Sequence, residues 1–111
     1  MTSGSTELAT ARAAAAERVA DLRRELDDVI ASASSTTGDD EHDPEGATIG
    51  FERAQAQSLL DRAVARVGEL DAALARAERG DYGRCAGCGG PIGAERLAAR
   101  PGTDRCIDCA R

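Results

Sequence analysis

The sequence predicts a mainly α chain, a long antiparallel two-helix coiled-coil hairpin followed by a small four-cysteine module. Three observations carry that prediction. Two stretches of about 30 residues each repeat apolar side chains in alternating three- and four-residue steps. One polar, strongly acidic stretch at about 31–48 separates them. All four cysteines stand near the C-terminal end, in two C-x-x-C pairs.

The first helix is expected from about Ser5 to Ile30. Its Ala, Leu, Glu and Arg are all good helix formers. Leu8, Ala15, Val19, Leu22, Leu26 and Val29 make one stripe, with Arg12 as a polar interruption. From Ala31 to Gly38 the Ser, Thr and Gly residues read as a helix fraying into a turn. The second helix is expected from Pro44 or Thr48 to about Arg79. Its stripe is Ile49, Ala56, Leu60, Ala63, Val67, Leu70, Leu74 and Ala77. Asp43 fits an N-cap with Pro44 at the first helical position, and Gly80 fits the stop at C′. Two such helices joined by one turn make a hairpin about 45–50 Å long at a rise of about 1.5 Å per residue. Its far end would carry the acids. Phe51, one turn past that end, reads as a local clasp of the hairpin, and Tyr82 as packing between the helix end and the first cysteine pair.

Composition excludes several functions. Of the 111 residues 41% are nominally hydrophobic, yet 23 of them are Ala and the aromatics are one Phe and one Tyr. Large apolar side chains are too few to enclose a wide catalytic pocket. There is no Ser-His-Asp or Cys-His arrangement and no Gly-rich phosphate loop, and the single histidine, His42, stands in the acidic stretch. An enzyme is not expected. No apolar run approaches the roughly 18 residues of a membrane span, and the N-terminus lacks a signal-peptide pattern, so a cytoplasmic protein without membrane contact is expected.

The net charge of −6 is unevenly placed. Nine acids and no arginine lie from Glu25 to Glu52, whereas the rest of the chain sets 14 arginines against 11 acids. Such a patch does not suit phosphate-backbone binding, which needs Lys and Arg to release counterions. A cation, a basic protein surface or plain solvation suits it better.

The cysteines give the sharpest signal. Cys85-Ala-Gly-Cys88 and Cys106-Ile-Asp-Cys109 are separated by 17 residues. Two C-x-x-C knuckles at that separation match a tetrahedral four-cysteine zinc site, with Cys85, Cys88, Cys106 and Cys109 as ligands to one structural ion. Gly87, Gly89 and Gly90 allow the backbone to reverse. Arg84, Arg96, Arg100, Arg105 and Arg111 are near enough in sequence to offset the charge of four thiolates. A disulfide framework is disfavoured without a secretory signal, and a redox C-x-x-C would need a βαβ unit that is absent here. Four thiolates leave no open coordination position, which disfavours catalytic zinc. Residues 81–111 are therefore expected as a zinc finger, and residues 1–80 as the hairpin.

The run Gly80-Asp81-Tyr82-Gly83-Arg84-Cys85-Ala86-Gly87-Cys88-Gly89, with Ile92, Arg96-Leu97-Ala98-Ala99-Arg100-Pro101 and Cys106-Ile107-Asp108-Cys109, closely resembles the DksA/TraR family of bacterial transcription regulators. The likeness is specific from about Asp43 to Cys109 and architectural over the first helix. The resemblance implies a coiled-coil hairpin on a four-cysteine zinc finger that binds RNA polymerase, core or holoenzyme, rather than DNA. It implies insertion of the hairpin through the secondary channel, with tip acids acting on open-complex stability, in some members together with ppGpp. The family's Asp-x-x-Asp-x-Ala tip aligns with Asp43-Pro44-Glu45-Gly46-Ala47-Thr48. Asp43 matches the first acid and Gly46 stands at the second, so Glu45 or the upstream Asp39, Asp40 and Glu41 would have to substitute. Those five acids are the candidate partner-binding residues, and ppGpp dependence is not expected to carry over. After Cys109 the C-terminal helix of longer members is not expected.

Two other readings compete. A zinc-stabilised coiled-coil adaptor would bind another protein or dimerise through an exposed apolar stripe, whereas a channel factor would be a monomer acting through its tip. A DNA-reading finger is weakest, because residues 81–111 hold five arginines against four acids and no extended basic helix.

Overall fold

The structure, a computed structural model, describes residues 2–35 and 44–110, and of residues 2, 3, 34, 35 and 44–47 the backbone alone. Its helices are α1 Thr2–Ser35, α2 Pro44–Glu78, α3 Ala94–Ala99 and α4 Ile107–Ala110. The long helices α1 and α2 pack together and run antiparallel, early α1 residues meeting late α2 residues. Helix α1 reaches further into the acidic stretch than composition predicts, continuing to Ser35, whereas α2 starts at Pro44, the earlier of its two expected starts. The serines that read as a fraying end each cost a helix less than about 0.7 kcal/mol, which packing of the preceding turns can offset. Ile30 supplies such packing against the core. No described helix is long and apolar enough to cross a membrane.

Contacts divide the chain into two units. One holds the chain up to Ala15 and from Ala65 onward; the other holds Ala16–Val64.

In the first unit Leu8, Ala15, Leu70 and Ala73 form a buried core, with Ala11, Val67, Leu74, Ala77 and Tyr82 packed against it. Leu8 and Leu70 are 0% exposed, and full burial of such a side chain contributes about 1.5–3 kcal/mol. Ala15 and Ala73 are small enough to let the helix backbones approach. Arg12, the interruption in the stripe, stands outside this core. Its Nε donates to Asp71 Oδ1 at 2.9 Å, which turns a gap in the apolar pattern into an inter-helix ion pair. Both side chains are about half exposed, so the pair contributes register more than stability.

Helix α2 ends as Gly80 predicts. Gly80 takes a positive φ of 80°, where a side chain would be strained. The Gly80 N–H donates to Ala77 O at 3.1 Å and the Asp81 N–H to Arg76 O at 2.8 Å. These are the two bonds of a Schellman stop, and they satisfy carbonyls that a helix end otherwise leaves unpaired.

In the second unit Leu22, Leu26 and Leu60 are the buried core, covered by Val19, Ile30, Ala56, Leu59 and Ala63. Phe51 does not clasp the hairpin, since it is 73% exposed. Five residues before Ala56 it lies about 140° away around the helix, off the packed stripe.

Candidate metal centre

The C-terminal segment belongs to the first unit and rests on the helix ends. Tyr82 carries the chain across: its ring packs on the Leu8–Leu70 core and lies within 3.8 Å of the Cβ position at Gly4. From there the backbone folds back on itself. An isolated antiparallel bridge pairs Arg84 with Pro91, flanked by Cys85 N–H to Gly90 O at 2.7 Å and Ile92 N–H to Gly83 O at 2.9 Å. This short hairpin is the first knuckle. Gly89 makes its turn at φ 76°, with its N–H donating to Cys85 O at 2.9 Å. Ile92 is buried beneath it.

The second knuckle runs from Cys106 into α4, which carries Cys109, and is tied to the first by backbone. The Ala86 N–H donates to Asp104 O at 2.7 Å. The Cys106 N–H donates to Cys85 Sγ at 3.3 Å, as does the Gly87 N–H. Gly87 sits in tight space: a Cβ there would stand 3.0 Å from Cys109 Sγ and 3.1 Å from Arg105 Nη1, so one of these side chains would have to give way.

These contacts bring the sulfurs of Cys85, Cys88, Cys106 and Cys109 within 4.8 Å of one another. Four sulfurs held about 2.3 Å from one ion at tetrahedral corners stand about 3.8 Å apart. Cys88 Sγ and Cys106 Sγ are 3.9 Å apart. The donor set is all thiol and closed, which fits structural zinc, and the four cysteines are positioned to hold one such ion.

Electrostatics point the same way. Backbone N–H groups, that of Cys106 first and then that of Cys88, favour the Cys85 thiolate and lower its pKa to about 6. Cys109 moves oppositely, to about 12, because hydrogen bonding with Cys85 and then with Cys106 and Cys88 retains its proton. A zinc ion held by the four sulfurs would favour their thiolate form.

The arginines expected to balance this charge divide by role. Arg105 reaches the sulfur side, its Nη1 sharing the space over Gly87 with Cys109 Sγ. Arg96 braces the second knuckle instead: its Nε donates to Arg105 O at 2.8 Å and its Nη2 to Thr103 Oγ1 at 3.4 Å. Arg84 and Arg100 are exposed, and Arg111 lies outside the described residues. Sequence reasoning missed Arg76, whose Nη2 donates to Thr103 O at 3.3 Å and so ties the last turn of α2 to the finger. A basic residue in a last helical turn has an ordinary reading, complementing the helix dipole, which hides such a role.

The acidic candidates are only partly placed. Asp39, Asp40, Glu41 and Asp43 lie outside the described residues, as does His42, and Glu45 lies in the first turn of α2 with its backbone alone described.

Comparison with known proteins adds identity to this geometry. Residues 80–111 match the prokaryotic dksA/traR C4-type zinc finger family. The chain is 43% identical over 49 residues to the RNA polymerase-binding transcription factor DksA of Escherichia coli K12, covering 44% of this chain and 32% of the relative. To the protein of that name from Haemophilus influenzae it is 46% identical over 41 residues, 37% of this chain and 28% of the relative. The matched stretch thus spans about a third of the length of these curated relatives. The solved structure of transcription factor DksA2 from Pseudomonas aeruginosa is similar over far more of the chain. That match has a TM-score of 0.76 at 32% identity and covers 96% of this chain and 77% of DksA2.

Proposed function

The chain belongs to the DksA/TraR family of zinc-finger bacterial transcription regulators, and from that membership we propose that it binds RNA polymerase directly and modulates initiation. The hairpin enters the secondary channel and presents acids from Asp39, Asp40, Glu41, Asp43 and Glu45 near its tip. The finger, residues 81–111 with Cys85, Cys88, Cys106 and Cys109 as zinc ligands, anchors the base of the hairpin, residues 1–80. The protein acts as a cytoplasmic, non-enzymatic monomer without sequence-specific DNA contact, and ppGpp is not part of this proposal.

The observation that carries the reading is the likeness to DksA2 over 96% of this chain, hairpin and finger together. A shared finger alone would support any zinc protein. The test is co-elution of the zinc-loaded chain with core RNA polymerase and with holoenzyme at micromolar concentration. Binding to either supports the proposal; elution apart from both overturns it. A second reading, a zinc-stabilised coiled-coil adaptor, is favoured by the 73% exposure of Phe51, an apolar ring left in water.

A further inference from the structure

A groove runs between the helices in the second unit, with a volume of about 360 Å³. Val29 of α1 and Ala56 and Leu59 of α2 form its apolar floor, and Glu25, Asp28 and Glu52 its rim. Ala56 and Leu59 also belong to the packed cluster around Leu22, Leu26 and Leu60. The groove therefore lies over side chains that cover this unit's core. Phe51 is not part of this lining, but it precedes Gln55, a wall of the groove, by one helical turn, and its ring is exposed.

We infer that this groove docks a basic amphipathic helix of another protein. The spacing of its walls argues for a helix. On α1 they stand at i, i+3 and i+4 (Glu25, Asp28, Val29), and on α2 at i, i+3, i+4 and i+7 (Glu52, Gln55, Ala56, Leu59). Each is one stripe of a helix surface, and two adjacent stripes leave the place of a third helix in a bundle. The rim sets the charge of the occupant. None of its three acids has an ion-pair partner among the described residues, and no arginine occurs between Glu25 and Glu52. A helix with arginine or lysine flanking an apolar stripe satisfies rim and floor at once. A second copy of this chain would bring the same acids against each other, and a nucleic acid would bring phosphates. The inference goes beyond the polymerase reading, because it concerns the chemistry of the occupant and holds whichever protein supplies it.

The test uses the zinc-loaded full chain and a fluorescently labelled synthetic peptide of about 18 residues, with Leu at i, i+3, i+4 and i+7 flanked by Arg. Anisotropy should show saturable binding, weakened about tenfold by Glu25→Arg with Glu52→Arg and several-fold by Phe51→Ala. Glu17→Arg with Glu78→Arg, an equal change of charge at two exposed positions outside the groove, should leave affinity within about twofold, and a scrambled peptide of equal composition should bind at least about tenfold more weakly. Phe51→Ala carries the test if the double reversal disturbs folding, which circular dichroism reports. Absence of binding overturns the inference. So do equal losses with Glu17→Arg and Glu78→Arg together, or equal binding of the scrambled peptide, since either would reduce the effect to net charge. Self-association in gel filtration that Phe51→Ala abolishes would also overturn it, by giving the groove to a second copy.

Discussion

The hydroxyl of Tyr82 donates to the carbonyl oxygen of Pro101 at 2.9 Å, while the ring of the same residue packs on the core that Leu8 and Leu70 share. One side chain thus joins three parts of the first unit: both helix ends and the loop between the two cysteine pairs. Tyr82→Phe keeps the packing and removes the bond. It should destabilise the protein by about 0.5–1.5 kcal/mol, the ordinary net contribution of such a bond. Burial raises the Tyr82 pKa above its ordinary 10.0. A raised folded pKa contributes stability that is complete below pH 10 and is lost as pH rises through the folded value. Urea titrations across that range should therefore show the parent losing its advantage over the Phe variant.

Zinc removal should act locally. We expect one zinc per chain, and such sites contribute on the order of 10–16 kcal/mol in small peptides. The finger does not end at the helices, because the Cβ position of Gly102 lies 3.3 Å from Glu69 Cβ and 3.5 Å from Leu70 Cδ2, and Arg76 holds Thr103. Chelation should therefore raise hydrogen exchange across residues 81–110 and in the α1 and α2 turns of the first unit. Protection around Leu22, Leu26 and Leu60 should persist, and most of the far-UV helical signal with it. Complete collapse of that signal would show that the second unit depends on the metal too.

Gly87 gives a finer probe of the site. Its φ is unexceptional for any residue, so the cost of a side chain there is one of space. A methyl group 3.0 Å from Cys109 Sγ and 3.1 Å from Arg105 Nη1 would displace a ligand, its nearby cation, or both. Gly87→Ala should weaken zinc affinity by about tenfold or more, within the range seen when the surroundings of metal ligands are disturbed. Chelator competition measures this directly. Gly90→Ala is the control, since its Cβ would meet only Cys88 Sγ, at an ordinary 3.5 Å.

Particular residues show what was legible in the sequence. The three-four spacing of Leu8, Leu22, Leu26, Leu60 and Leu70 picks out side chains that are buried, because a coiled-coil seam repeats one simple geometry. Gly80 marks the helix stop because a positive φ narrows the choice of residue. The cysteine spacing identifies the four clustered thiols for a similar reason: two tight turns must meet at one ion. Helices α3 and α4 escape a search for periodicity, since six and four residues do not complete two turns. The roles of Arg96 and Arg76 were also hidden. Both donate to backbone or hydroxyl oxygens of the loop around Thr103, and such acceptors leave no mark in a sequence. Phe51 shows the opposite failure, in which aromatic character suggested burial but position on the helix decided exposure.

The tip supplies the last prediction, which rests on the channel reading. If the hairpin enters a channel toward a catalytic centre, charge at Asp43 and Glu45 matters for effect more than for affinity. Single exposed charges contribute little to binding free energy, about 0–1 kcal/mol each, so the body should supply most of the contact. Asp43→Asn with Glu45→Gln removes charge at nearly constant shape. Glu45 is in the first turn of α2, where loss of a negative charge costs about 0.3–1 kcal/mol of dipole stabilisation. The double variant should therefore stay folded and compete for polymerase almost as well as the parent, yet lose its influence on transcription in vitro. Gly46→Asp gives the converse, since it places an acid where the family tip carries its second one, and it should strengthen the effect. Equal regulation by parent and double variant would reduce these acids to a solvated helix start. Function would then have to reside elsewhere on the hairpin, as the adaptor reading holds.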